Sequence, residues 1–180
     1  YFMLAAKPSI LFLFGDQYTR SIMPMKLIMP TVFAIGLSNI LGIQMLIPMG
    51  RENVVVVSEI VGAVVDVIIN ALLIPKYGAS GAAIGTVTAE FAVLAVQTVA
   101  LKTTVLPLVR QIPVWKHVLA AAVSAIPCVA IVGIGWGNFV TLMVSAIIFF
   151  GIYLIILILL KEPFIREYAP MVTKFLPHKK

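Results

Sequence analysis

The run VVVVSEIVGAVVDVIINALLI, residues 54–74, carries the most information about how this chain folds. It is almost wholly aliphatic, and about 20 such residues in a helix cross the hydrocarbon core of a bilayer. It also carries Glu59, Asp66 and Asn70. Their spacing of i, i+7 and i+11 puts them on one helical face. Ionisable groups are costly in hydrocarbon unless they face protein or a water-filled cavity. The run therefore reads as a membrane-spanning helix with one inward-facing polar side.

Neighbouring stretches repeat the pattern. Residues 79–101 carry Thr86, Glu90 and Gln97 on one face, so the two polar faces are expected to meet each other or a cavity. Gly81, Gly85 and Ala89 recur every four residues there, a period that lets another helix come close. Residues 23–48 read as a third span, bent by Pro24 and Pro30 and polar at Ser38, Asn39 and Gln44. Residues 117–135 and 139–160 are nearly featureless and read as lipid-facing spans. The opening run, residues 1–14, is too short to span and ends at Gly15-Asp16, as the last turns of a truncated helix would. The expected fold is an all-α polytopic membrane bundle of about five spans plus the truncated one.

The breaks between runs are chemically sensible. Gly50-Arg51-Glu52-Asn53 and Pro75-Lys76-Tyr77-Gly78 place charge and turn formers between spans. Trp136-Gly137-Asn138 makes a tight hairpin with an interfacial aromatic. Residues 102–116 hold two prolines and three basic residues and read as an interfacial loop. Four regions follow: residues 1–104 with the truncated helix and three spans, a loop at 105–116, two accessory spans at 117–160, and a basic tail at 161–180.

Composition supports a lipid environment. The chain is 62% hydrophobic and 11% charged, with a mean hydropathy of +1.12. A soluble domain is about 25% charged, and 180 residues cannot hide this much apolar surface from water. The net charge of +6 does not point to nucleic acid, because the basic residues are spread over loops and tail. They serve instead to orient the chain. Arg51, Lys102, Arg110, Lys116, Lys161, Arg166, Lys174, Lys179 and Lys180 fall on one side of the membrane, and Lys7, Arg20, Lys26 and Lys76 on the other. The nine-residue side is expected to be cytoplasmic. The loops on the opposite side are short, which leaves no room for an external catalytic domain.

Cys128 is single and lies in an apolar run, so it reads as a small packing residue. His117 and His178 sit at the edges of runs and read as interfacial. No metal-ligand spacing, Gly-rich phosphate loop or nucleophile–histidine set is present, so neither a metal, a cofactor nor enzymatic chemistry is expected. The residues expected to line a substrate or ion pathway are Asp66, Asn70, Glu90, Asn39 and Gln44.

Several of these segments also resemble a known family. They are the turn Phe14-Gly15-Asp16-Gln17-Tyr18, and Leu37-Ser38-Asn39-Ile40 followed by Leu46-Ile47-Pro48-Met49-Gly50-Arg51-Glu52. After them come Asn70-Ala71-Leu72-Leu73-Ile74-Pro75-Lys76-Tyr77-Gly78-Ala79 and Gly81-Ala82-Ala83-Ile84-Gly85-Thr86, then Glu90. In order and spacing they resemble polysaccharide-biosynthesis membrane transporters of the O-antigen and capsule type. These belong to the multidrug, oligosaccharidyl-lipid and polysaccharide exporter superfamily. The similar stretch covers residues 11–90. Asp66 departs from the family pattern, which more often has an amide or small polar residue there.

The resemblance implies a fold of two six-helix lobes with two further C-terminal helices, of which this chain is the C-terminal part. Residues 1–14 then correspond to the ninth helix, and the missing first lobe is an implied partner. The implied function is to flip undecaprenyl-pyrophosphate-linked oligosaccharide across the bacterial cytoplasmic membrane, with the C-terminal tail cytoplasmic. The family alternates access between its lobes around a central cavity, which this chain alone is expected to lack. Other readings are a lipid II flippase or cation-coupled drug exporter of the same superfamily, a membrane-embedded glycan polymerase or ligase, and a non-transporting membrane subunit. A polymerase needs a large external loop bearing Arg or His, which the short connections here do not supply.

Overall fold

The computed structural model describes residues 1–162, apart from the side chains of residues 108, 110 and 111. Among the described residues there is no β-strand. The α-helices are α1 (Ala6–Phe14), α2 (Ile22–Ile28), α3 (Pro30–Asn39), α4 (Glu52–Tyr77), α5 (Ala79–Ala100), α6 (Lys102–Gln111), α7 (Val114–Gly133) and α8 (Asn138–Leu159). Four of them, α4, α5, α7 and α8, are long and apolar enough to cross a membrane. The stretches Asp16–Ile28 and Pro30–Leu46 add a fifth span if they are taken together across a 40° bend. The described part of the chain is thus all-helical and has the make-up of a multi-pass membrane protein. Most of the expected tail, with Arg166, Lys174, His178, Lys179 and Lys180, lies outside the described residues.

The hairpin of α4 and α5 is the centre of the fold. Its turn is Gly78, whose φ of 54° favours a residue without a side chain. The two helices then pack at glycines. A Cβ on Gly81 would stand 2.5 Å from the Leu73 carbonyl oxygen. One on Gly85 would run into the Asn70 carboxamide, and one on Gly62 into Val93. The small-residue stripe of α5 is therefore matched by a glycine on α4. Proline did not end α4 where the sequence reading placed its boundary. The helix runs through Pro75 to Tyr77 and closes with the Gly78 amide donating to the Ile74 carbonyl at 2.8 Å. Pro75 lies in the last turn, where losing one backbone bond costs less than in a helix interior.

Residues 23–48 do not form one continuous helix. α2 stops at Ile28, and α3 starts at Pro30, which has no amide hydrogen to continue the ladder. The Thr31 hydroxyl donates to the Ile28 carbonyl at 2.6 Å and relieves the break locally. After Asn39 the chain winds as a π-helix over Ile40–Leu46, with the Ile47 amide donating to the Gly42 carbonyl at 3.0 Å. All three segments lie along α5. Gly42 approaches Gln97, so this broken helix runs parallel to α5.

α7 and α8 form a second hairpin, and α1 joins it to the rest. The Tyr1 hydroxyl donates to the Leu142 carbonyl at 2.8 Å, and its ring meets Phe149 and Phe150. At the other end of α1, Phe12 meets Phe139, so α1 runs antiparallel to α8. The face of α8 that carries Thr141, Ser145 and Phe149 is consequently buried, where the sequence alone indicated lipid.

Both hairpins are fastened at the same end by a cation. The Arg51 guanidinium donates to the Ala100 carbonyl at 3.2 Å, at the C-terminus of α5. The Lys116 ammonium donates to the Leu160 carbonyl at 2.8 Å, just past α8. Positive charge complements the negative end of a helix dipole in each case. Beside these ends, residues 102–111, expected as loop, form α6. Its first turns are anchored by Leu101 and Val105, which pack with Leu41 and Leu46. That tertiary contact offsets the two strong loop signals, Pro107 and the polar start.

Candidate functional site

The inward faces of α4 and α5 do meet. Glu59, Gly62, Ala63 and Asp66 from α4 and Thr86, Ala89, Glu90 and Val93 from α5 line one open groove of about 250 Å³. Sequence spacing had put Glu59 and Asp66 together and Thr86 and Glu90 together; the antiparallel hairpin brings the two pairs to the same place. Asp66, Thr86 and Glu90 are half-buried, and Glu59 is exposed. Among the described residues, no Lys or Arg forms an ion pair with any of these carboxylates. Such a groove cannot face fatty acyl chains at low cost.

Asp66 is held by its neighbour one turn on. The Asn70 carboxamide donates to Asp66 Oδ2 at 2.9 Å. Asp66 Oδ1 and Asn70 Oδ1 are shielded from solvent with no partner among the described residues. Each unpaired buried polar atom costs about 1–3 kcal/mol. Asn70 itself sits beyond the groove lining, against Gly85, and acts on the site through Asp66.

Gln97 shares the face of Glu90 but is fully buried, away from the groove. It donates to the Ser58 hydroxyl at 3.0 Å, and Ser58 in turn donates to the Val55 carbonyl at 2.7 Å. Gly42 of the π-turn lies on the other side of the Gln97 carboxamide. The Gln97–Ser58 hydrogen bond ties α5 to α4, as polar side chains do within bilayers, and the π-turn packs against it at Gly42. Ser58 was not singled out in the sequence. Its signal was the alignment with Gly62 and Asp66 one and two turns on.

Asn39 and Gln44 are not brought to the groove. Both are exposed, on the broken helix rather than on α4 or α5. A π-helix bonds i to i+5, so it shifts the angular position of every residue after Asn39 relative to an α-helical count.

A separate polar cluster closes the end of the second hairpin. His117 Nδ1 lies 3.0 Å from the Tyr153 hydroxyl, and His117 Nε2 is 3.8 Å from Glu162 Oε1. Among the described residues, no three His, Cys, Asp or Glu side chains gather as a metal site would require. Cys128 is buried in the face that α7 turns to α8.

Neither a protein-family model, nor a curated protein, nor a solved structure matches this chain.

Proposed function

We propose that this chain is part of a flippase for undecaprenyl-pyrophosphate-linked oligosaccharide repeat units, acting in surface polysaccharide biosynthesis at the bacterial cytoplasmic membrane. It works without enzymatic chemistry of its own and with a second lobe as partner. The resemblance of residues 11–90 to the polysaccharide exporters supplies the substrate class. The observation that carries the transport reading is the groove between α4 and α5. Three carboxylates, Glu59, Asp66 and Glu90, share it with no Lys or Arg paired to them among the described residues. Only protein or a water-filled path is a suitable cover for them. Its negative charge makes it unsuited to the pyrophosphate, so it serves the sugar portion or a coupling cation. In this reading the end bearing Arg51 and Lys116 is cytoplasmic, and the tail lies on that side.

A second reading is a cation-coupled drug exporter of the same superfamily. It is favoured by the same surplus of carboxylates. One experiment separates the two. Asp66→Asn and Glu90→Gln, introduced at the chromosomal gene, should each lower surface polysaccharide while the protein persists in the membrane. Normal polysaccharide in both variants removes the flippase role of this groove. Unchanged polysaccharide together with raised drug sensitivity selects the exporter.

A further inference from the structure

At the cation-rich end of the bundle, α6 forms a second pocket. Lys102, Thr103, Leu106 and Pro107 line an open cavity of about 560 Å³. α6 has 10 residues, so it is about 15 Å long and cannot cross a bilayer of about 30 Å. It starts where α5 ends, and its Val105 is pinned with Leu101 into the cluster beneath the π-turn. Leu106 and Val109 stay exposed. A short helix with one face pinned and apolar side chains left exposed, at the level where spanning helices end, belongs in the headgroup layer.

The charges at this end are unequally engaged. Arg51 and Lys116 are spent on the carbonyls that end α5 and α8. Glu162 lies near His117, and Glu52 opens α4. Lys102 is exposed and, among the described residues, has no carboxylate or carbonyl partner. The pocket thus joins an ammonium with no carboxylate partner among the described residues, and one hydroxyl, to an apolar wall of Leu106 and Pro107. A phosphodiester with an acyl chain beginning beside it has the complementary pattern.

We propose that α6 is an interfacial anchor whose pocket binds the headgroup phosphate of an anionic phospholipid from the surrounding leaflet. Lys102 supplies the ammonium, Thr103 a hydrogen bond, and Leu106 and Pro107 receive the first acyl methylenes. This site is separate from the α4–α5 groove and does not depend on the flippase reading.

The purified protein, reconstituted in nanodiscs of equal phosphatidylglycerol and phosphatidylcholine and analysed by native mass spectrometry, tests it. Phosphatidylglycerol should be retained over phosphatidylcholine by about fivefold, the contribution of one lysine at an anionic surface. Lys102→Gln should bring the ratio close to one, and Lys102→Arg should keep it. Circular dichroism on each variant checks that the helices persist. Equal retention of both lipids in the parent protein overturns the proposal, and so does an unchanged preference in Lys102→Gln. If undecaprenyl phosphate added to the same nanodiscs displaces phosphatidylglycerol from the protein completely, the pocket belongs to a polyprenyl carrier, and the leaflet-lipid assignment falls.

Discussion

Asp66 and Gly85 show how one residue can constrain the next. Asp66 is held by Asn70, and Asn70 lies so close to α5 that only glycine fits opposite. Gly85→Val should therefore destabilise the hairpin by about 1–3 kcal/mol, the usual range for overpacking. Denaturant titration in detergent, followed by helix content, measures it. Gly62→Val should behave alike, because its added atoms meet Val93. Ser58→Ala tests the other lock. It removes the acceptor of the Gln97 amide and should cost about 1 kcal/mol, typical of an interhelical bond in a bilayer. Stability equal to the parent protein would mean that Gln97 finds another partner. The carboxylate positions were legible in the sequence for a simple reason. Charge in hydrocarbon is expensive, and the helical period fixes which charges share a side. Which of their oxygens lack partners was not legible, since that depends on side-chain geometry across the hairpin.

Among elements, legibility tracked the range of the forces involved. The hairpin of α4 and α5 could be read because its turn and its small-residue stripe are local features. α6 could not. Pro107 and a polar start favour loop, and only the distant Leu41 and Leu46 make a helix worthwhile. Pairing of α1 with α8 was equally hidden, because Tyr1 reaches Leu142 and Ser145 with no period connecting them. Asn39 and Gln44 lie apart from the α4–α5 groove, on the broken helix. They were expected on a pathway as polar residues of a Pro-bent span, and the π-helix over Ile40–Leu46 was not legible in that stretch. Tyr1→Phe isolates the clasp of α1 on α8. It keeps the ring contacts and removes the hydroxyl bond, so a loss of about 1 kcal/mol or less is expected in the same titration.

At the scale of the whole molecule, the two ends differ chemically. One carries Arg51, Lys102 and Lys116; the other carries Lys76 and the turns at Gly78 and Trp136. Cysteine accessibility resolves the orientation along a single helix. In a Cys128→Ala background, Asn53→Cys should react with a membrane-impermeant maleimide only from the cytoplasm, and Tyr77→Cys only from outside. Both parent side chains are exposed and they bracket α4. Labelling in the reverse sense would invert the proposed topology, along with the side assigned to the α6 pocket. The joint at Met29–Pro30 has a mechanical consequence. A stiff rod rocks as one piece, whereas a rod cut near its middle transmits little torque across the cut. The 40° bend there lets Asp16–Ile28 and Pro30–Leu46 follow α5 at different angles, with Leu46 packed against Leu101. Amide deuteration should accordingly run fast through the joint and slow through Ile43 to Leu46, a gradient that an unbroken helix would lack.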